Sequence, residues 1–219
     1  NLGCPFPMIA GKHKGAGMLL YPAQVAEVLA PIAEYPEIQF SLKMRLGWEN
    51  ASECMVLVEL LNTLRLSRIA LHARTGKQQY KGHPDLEAFQ GFYELCQHPL
   101  YYNGGIESLS DIRQILIRFP LLKGVFIGRG LLSSPLLAKE FKGNETFLPE
   151  QRMSIYFAFH EELFSAYSQV LQGETQLLVK MKTLWEYFLP ETDRKLLKRI
   201  KKSTRLQQYT ESVKAIFTS

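Results

Sequence analysis

Short apolar segments alternate with segments of helical periodicity through the first two-thirds of the chain. The helical spacing of apolar residues predicts helices over residues 22–35, 51–66 and 110–119. Four short segments, apolar on both sides, are typical of parallel strands that helices cover; they span residues 38–42, 68–72, 100–102 and 124–127. Such alternation predicts an α/β fold whose parallel sheet is built from right-handed crossovers.

The last third of the chain has a different pattern. From Pro149 onward the periodicity is helical throughout, and it predicts helices over residues 154–171, 176–188, 193–202 and 207–217. A Gly143-Asn144 break precedes this region. We therefore predict two domains, an α/β domain over residues 1–143 and a small all-helical domain over residues 144–219.

The positive charge is concentrated in one short segment. The chain carries a formal net charge of +5. Residues 194–205 include seven lysines and arginines and no acidic residue, so the rest of the chain is slightly negative. A basic helix of this kind is typical of a surface that binds a polyanion such as RNA. The candidate RNA-binding residues are Lys198, Arg199, Lys201 and Lys202.

The three cysteines lie far apart in the sequence, at Cys4, Cys54 and Cys96. No pair has the spacing of a zinc ribbon, so neither a metal site nor a disulfide framework is expected. Free cysteines are typical of a reducing compartment, and we therefore expect the protein in the cytoplasm. Cys4 lies in a loop followed by three basic side chains, which favours a reactive thiol. Cys54 and Cys96 fall in or near helical segments and are predicted to be structural. No apolar run approaches the roughly 20 residues that span a bilayer, so no membrane association is expected.

Polar or glycine-rich clusters follow each predicted strand. In parallel α/β folds the carboxyl ends of strands meet at one edge, where sites form. The glycine turns can expose backbone N–H groups to a phosphate, Arg129 adds a charged fork, and Lys43 and His72 can face an anion or a ring carbonyl. Together they predict a site for an anionic, ring-bearing cofactor. The clusters are residues 43–47 (Lys-Met-Arg-Leu-Gly), 72–75 (His-Ala-Arg-Thr), 103–105 (Asn-Gly-Gly) and 128–130 (Gly-Arg-Gly), and the chain opens with a fifth, Asn-Leu-Gly-Cys-Pro.

The order and spacing of these motifs resemble those of the tRNA-dihydrouridine synthases. The resemblance runs over residues 1–135 and also includes Gly-Ala-Gly at 15–17 and the Gln78, Tyr80 and Gly82 positions. It implies the carboxyl-terminal part of a (βα)8 TIM-type barrel, about four parallel strands with helices, followed by the helical domain. It also implies an FMN-dependent enzyme that uses NADPH and reduces uridine in tRNA to 5,6-dihydrouridine.

The resemblance implies roles for individual residues. Cys4 matches the cysteine that protonates C5 of the uracil ring after reduced FMN delivers a hydride to C6. Asn1 matches an asparagine that contacts the target base, and Arg74 and Tyr80 fall where the uracil is held. The positions that match flavin contacts and flavin phosphate loops are Lys43, His72, Asn103, Gly104, Gly105, Gly128 and Arg129.

Two features depart from the family pattern. Gly105 stands where the family usually has an aspartate after Asn-Gly. Only four strands are predicted where the barrel has eight, so we expect this chain to be a fragment of a longer protein or a truncated product. Two alternatives remain open at this point: a catalytically inactive remnant that only binds RNA, and another FMN barrel oxidoreductase that acts on a small molecule.

Overall fold

A computed structural model describes residues 1–218 of the chain. Its sheet has four parallel strands in the order β1-β2-β3-β4, so each strand pairs with the next strand along the chain. The chain is thus α/β with a parallel sheet, as predicted. The strands are β1 (Phe40–Gly47), β2 (Leu66–Thr75), β3 (Leu100–Asn103) and β4 (Gly124–Phe126).

The first two strands are longer than predicted. β1 begins two residues later than expected and continues through the polar cluster to Gly47, and β2 continues to Thr75. The predicted placement of residues 43–47 and 72–75 beyond the strand ends was therefore wrong. Both clusters alternate polar and apolar residues, and a strand accommodates this alternation because successive side chains point to opposite faces of the sheet.

The two faces of the sheet differ in chemistry. One face carries buried apolar side chains such as Leu42, Met44 and Leu71, and α3 and α4 pack on this side of the sheet. Phe89 of α4 meets Tyr102 of β3 edge to face, with ring centroids 4.9 Å apart. The other face, here called the inner face, carries the polar side chains of the carboxyl halves of β1 and β2. Burial on both faces explains why these strands read as apolar on both sides in the sequence.

The helices lie between and after the strands. In the sheet-forming part they are α1 (Pro7–Ala10), α2 (Pro22–Leu29), α3 (Glu53–Thr63), α4 (Leu86–Leu95) and α5 (Leu109–Arg118), with 3₁₀ segments at Gly15–Leu20 and Ala30–Glu34. α4 has no counterpart among the predicted helices. The later helices are α6 (Arg129–Ser133), α7 (Leu137–Gly143), α8 (Pro149–Val170), α9 (Gly173–Leu184), α10 (Arg194–Lys202) and α11 (Leu206–Phe217).

The chain divides into two compact units. The sheet unit comprises residues 1–106 and 110–127, and the helical unit comprises residues 107–109 and the chain from Gly128 onward. α6 and α7 therefore group with the helical unit. The assignment of residues 1–143 to catalysis and 144–219 to tRNA binding stays a prediction.

The helical unit has its own core. Trp185 and Phe188, which follow α9, are buried and meet edge to face with ring centroids 5.3 Å apart. Tyr209 and Val213 of α11 are also buried in this cluster. Burial of large aromatic side chains supplies most of the stabilisation that a bundle of short helices needs. No helix in residues 1–218 is both long and apolar enough to span a membrane.

Candidate functional site

A row of polar side chains crosses the inner face at the carboxyl ends of the strands. Arg45 of β1 is the register partner of His72 in β2, and His72 is the partner of Asn103 in β3. Register partners in neighbouring strands point to the same face, so these three side chains form one line. Lys43 lies on the same face two residues before Arg45. The predicted cofactor residues Lys43, His72 and Asn103 are therefore brought together.

Lys43 and Arg45 place two positive charges side by side. Burial lowers the pKa of the Lys43 ammonium, and the nearby charge of Arg45 lowers it further. The pKa of Arg45 is also lowered by burial, and the positive charge of Arg74 adds to this effect. Three cations that repel one another at one edge of the sheet favour an anionic ligand there.

His72 and Arg74 lie close together on β2. Arg74 Nη1 is 3.3 Å from His72 Nε2, and because a guanidinium can only donate, Nε2 accepts this hydrogen bond. Arg74 Nη2 also donates to the carbonyl oxygen of Gly82 over 3.0 Å. The ring of Tyr80 lies 6.2 Å from the His72 ring and is 52% exposed. The predicted base-binding residues Arg74 and Tyr80 therefore lie beside the predicted cofactor residue His72.

The opening segment of the chain runs alongside β1. Leu2 forms an isolated parallel bridge with Met44, and its N–H donates to the Lys43 carbonyl oxygen over 2.8 Å. The side-chain oxygen of Asn1 accepts a hydrogen bond from the Gly3 N–H over 2.9 Å. This bridge brings Cys4 to the same edge of the sheet as Arg45, whose Nε donates to the carbonyl oxygen of the preceding residue, Gly3, over 3.1 Å.

A glycine turn supports the backbone of Cys4. The Ala16 N–H donates to the Cys4 carbonyl oxygen over 2.9 Å. Gly15 has a φ of +56°, and a Cβ at this position would stand 2.7 Å from that carbonyl oxygen and 2.9 Å from the Cys4 Cβ. Only glycine combines this backbone conformation with so close an approach. The Gly-Ala-Gly motif at 15–17 therefore sets the position of the candidate catalytic thiol.

Arg45 is a site residue that sequence reasoning missed. Its side chain is 1% exposed and donates three hydrogen bonds to backbone carbonyl oxygens: Nε to Gly3 over 3.1 Å, and Nη1 to Thr75 and Gln79 over 2.8 Å each. Its guanidinium carbon also lies 5.4 Å from the centroid of the Tyr80 ring. The available signal was the Leu-Lys-Met-Arg-Leu alternation, which places Lys43 and Arg45 on one strand face.

The turn after β3 packs closely against His72 and Pro84. Gly104 has a φ of +135°, and a Cβ there would lie 3.2 Å from His72 Cδ2. Gly105 has a φ of +60°, and a Cβ there would lie 2.9 Å from the Pro84 side chain. Asn103 Nδ2 donates to the Phe126 carbonyl oxygen over 2.8 Å and so ties this turn to β4. Gly104 is buried and Gly105 is exposed, so the turn presents its backbone to solvent only at Gly105.

Gly128 and Arg129 belong to the helical unit. Gly128 immediately precedes α6, and the Arg129 carbonyl oxygen accepts a hydrogen bond from Ser133 Oγ over 3.1 Å. Their predicted contribution to the cofactor site stays a prediction.

A basic groove lies between α10 and α11 in the helical unit. Its volume is about 420 Å³. Ser203, Gln208, Glu211 and Ser212 line one part of it, and four cations line the rest: Lys195, Lys198, Arg199 and Lys202. Three of the four predicted RNA-binding residues therefore share this groove. Lys201 is exposed but is not among the residues that line it.

No cluster of three or more His, Cys, Asp and Glu side chains in residues 1–218 could hold a metal ion. The inner-face site, by contrast, presents donors, namely an ammonium, two guanidinium groups and an amide. Its chemistry is that of an anion and ring site.

Comparison with known proteins identifies the family to which this chain belongs. The sequence model of the dihydrouridine synthase family matches residues 1–218, and the chain belongs to that family. Its α/β sheet of four parallel strands is accordingly part of the family's barrel, followed by helices.

Individual relatives are similar over most of this chain. It is 30% identical over 136 residues to a probable tRNA-dihydrouridine synthase of Rhizobium leguminosarum bv. phaseoli, which covers 62% of this chain and 43% of the relative. It is 26% identical over 154 residues to tRNA-dihydrouridine synthase B of Vibrio vulnificus, covering 68% and 48%. It is 31% identical over 147 residues to tRNA-dihydrouridine(16) synthase of Haemophilus ducreyi, covering 66% and 45%. The chain thus spans about half the length of the curated relatives it matches.

Proposed function

We propose that this protein reduces uridine in tRNA to 5,6-dihydrouridine, with FMN as cofactor and NADPH as the reductant. The observation that carries the proposal is the convergence of Cys4, Lys43, His72 and Arg74 at one edge of the sheet. Arg45 links that edge to the exposed ring of Tyr80. Family membership supports the reaction class, and the relatives' names supply the tRNA substrate.

The inner-face residues fit a flavin nucleotide. The cations there suit an anion, and the glycines at 104 and 105 avoid a Cβ that would crowd His72 and Pro84. We assign FMN to Lys43, His72, Asn103, Gly104 and Gly105 of the sheet unit. When bound, reduced FMN supplies the hydride that the reaction consumes.

Cys4 supplies the proton in this proposal. Hydride addition at C6 of a uracil leaves C5 in need of a proton, and a positioned thiol can provide it as a general acid. The Cys4 Sγ–H bond breaks as the C5–H bond forms, and the thiol is restored by proton uptake from solvent. The half-buried Cys4 side chain, fixed through Gly15 and Ala16, is suited to this role because its position is set by backbone contacts.

Asn1, Arg74 and Tyr80 hold the pyrimidine in this proposal. Tyr80 offers a half-exposed ring for stacking, and its neighbour Arg74 offers hydrogen-bond donors that suit uracil carbonyl oxygens. Asn1 has an amide that can pair with the base edge, and it lies next to the segment that carries Cys4. A base must leave its stack to reach such a site, so the tRNA backbone has to be held elsewhere as well.

The groove between α10 and α11 is suited to hold the tRNA backbone. Four cations concentrate positive charge around this concave surface, and such charge binds phosphates; they are Lys195, Lys198, Arg199 and Lys202. We assign tRNA backbone binding to this groove, with Lys201 as a neighbouring charge.

An absorption spectrum of the purified protein, followed by incubation with NADPH and unmodified tRNA, tests the proposal. The expected results are the spectrum of an oxidised flavin and the appearance of dihydrouridine in the tRNA. A colourless protein that still retards tRNA in a gel would instead indicate an RNA-binding remnant. Turnover of a small enone without tRNA, and no dihydrouridine, would indicate a different flavin oxidoreductase.

A further inference from the structure

Arg45 is a buried cation held by backbone oxygens and not by an acid. Three of its hydrogen bonds end on the carbonyl oxygens of Gly3, Thr75 and Gln79. In residues 1–218, no carboxylate lies within ion-pair distance of its guanidinium. Burying a guanidinium without a counter-charge is costly, and here two further cations, Lys43 and Arg74, repel it. The three directional hydrogen bonds to carbonyl oxygens offset part of this cost.

The three carbonyl groups belong to two separate segments that carry site residues. Gly3 immediately precedes Cys4, whereas Thr75 and Gln79 bracket the turn that leads to Tyr80. The sequence separations from Arg45 are 42, 30 and 34 residues, so the guanidinium joins parts of the chain that are remote in sequence. The Tyr80 ring, 5.4 Å from the guanidinium carbon, closes the arrangement.

We propose that Arg45 is a positioning residue that fixes the spacing between the Cys4 segment and the Tyr80 loop. This inference rests on the proposed function, in which Cys4 gives its proton to a pyrimidine that Tyr80 holds. The proton donor and the base-binding ring lie on different segments, and one planar side chain sets the distance between them. Proton transfer is steep in distance, so a small loss of this register reduces the rate while leaving the binding of the tRNA backbone unchanged.

Only arginine suits this role. Its Nε and Nη1 donors are held in a rigid plane and reach carbonyl groups on both segments at once. A lysine keeps the charge but has a single ammonium on a flexible stem, so it cannot reproduce the fork. Arg45→Lys therefore separates the directional bonds from the charge.

Hydrogen exchange measures the proposed linkage directly. Five amides of the two segments are hydrogen-bonded to backbone or side-chain oxygens and so report local opening: those of Leu2, Gly3, Gly76, Lys77 and Gln79. In Arg45→Lys their exchange should accelerate together, by about tenfold, because each segment loses a charge-assisted bond. Amides in the β2–β3 ladder should change less than about twofold. Arg68→Lys, an exposed substitution on β2, is the matched control and should change neither set.

A kinetic arm separates positioning from folding. Arg45→Lys should lower the rate of dihydrouridine formation about tenfold or more and leave the dissociation constant for tRNA unchanged. Equal acceleration of exchange across the whole sheet, or acceleration in one segment alone, would overturn the proposal. So would an unchanged rate.

Two measurements keep the inference distinct from the proposed function. If the wild-type protein forms no dihydrouridine, the proposed function fails, and the exchange comparison still decides whether Arg45 links the segments. If Arg45→Lys does not fold, the wild-type protein provides the test. The amides of the two segments that Arg45 joins should then show equal protection against hydrogen exchange. Protection that differs more than about tenfold between the segments would contradict the linkage.

Discussion

His160 Nε2 and the Tyr209 hydroxyl oxygen lie 2.6 Å apart in the interior of the helical unit. Trp185 Nε1 donates to the same hydroxyl oxygen over 3.0 Å, which leaves the tyrosine proton available to a neutral Nε2. The other ring nitrogen, Nδ1, then donates to Glu161 over 3.0 Å. With a neutral His160, the tyrosine proton has an acceptor inside the network. Burial accordingly lowers the pKa of His160, and Glu161 opposes this in part.

The free energy of unfolding should therefore fall in mild acid. Because the pKa of His160 is lower in the folded protein, the unfolded chain binds more protons as the pH drops below about 6.5. The stabilisation is complete above that pH and is lost as the pH falls toward the folded pKa. Thermal or urea unfolding between pH 7.5 and 5.5 should show a slope of up to about 1.4 kcal/mol per pH unit from this residue.

Substitution isolates the contribution of His160 from that of the other histidines. His160→Gln should lower stability at neutral pH and flatten the pH dependence, whereas His83→Gln, at an exposed position, should leave the wild-type slope in place. An unaltered slope in His160→Gln would show that another group governs the acid sensitivity.

Replacement of the candidate proton donor should stop the reaction without emptying the site. Cys4→Ala should reduce dihydrouridine formation by about 10²-fold or more, the usual contribution of a general acid, while flavin absorbance and tRNA affinity stay at wild-type values. Cys96→Ala, a half-buried cysteine elsewhere in the sheet unit, serves as the control and should keep full activity. Undiminished product from Cys4→Ala would remove this cysteine from the mechanism.

Gly15 should tolerate no side chain. Gly15→Ala combines a positive φ with a Cβ 2.7 Å from the Cys4 carbonyl oxygen, so it should lower the free energy of unfolding by about 2–4 kcal/mol and displace Cys4. Gly82→Ala is matched in backbone conformation, with a φ of +61°, but its nearest contact is 3.6 Å away at the Gln78 side chain. It should cost only about 1 kcal/mol. Urea unfolding of both variants tests this, and equal losses would mean that the contact with Cys4 carries no strain.

Charges in the α10–α11 groove should act more strongly on tRNA than a charge beside it. Lys198→Gln should weaken binding and reduce the slope of log K against log salt by about 0.7–0.9, the change for one phosphate contact. Lys201→Gln removes the same charge from a residue of α10 that does not line the groove, so it should have a smaller effect on the slope. Binding titrations at several salt concentrations make the comparison, and identical slopes for the two variants would indicate a diffuse field instead of a groove contact.

The fold was largely accessible from the sequence because its strands and most helices carry clear periodicity. The four strands and the parallel order followed from short apolar runs separated by helical segments. α4 was missed although Asp85 caps it by accepting a hydrogen bond from the Ala88 N–H over 2.9 Å. Asp85 followed by apolar residues at 86, 89 and 92 was the signal that could have identified this helix.

The sequence predicted which residues belong to the site but not how their side chains are arranged. Motif order identified Cys4, Lys43 and His72, and β pairing brings them to one edge of the sheet. The hydrogen bonds of Arg45 were not predictable, since they depend on three carbonyl groups that only tertiary structure assembles. The groove lining was also out of reach, because separating Lys195 from Lys201 requires knowing which face of α10 meets α11.

The row formed by Arg45, His72 and Asn103 makes the candidate site intolerant of length changes inside the strands. Deleting one uncharged residue early in β1 would turn Met44 and Leu46 toward the inner face. It would also turn Lys43 and Arg45 toward the helices, so the polar and apolar faces of the strand would exchange places without any change in net charge. Insertions and deletions compatible with activity should therefore accumulate in the connecting loops and avoid the residues between Phe40 and Gly47.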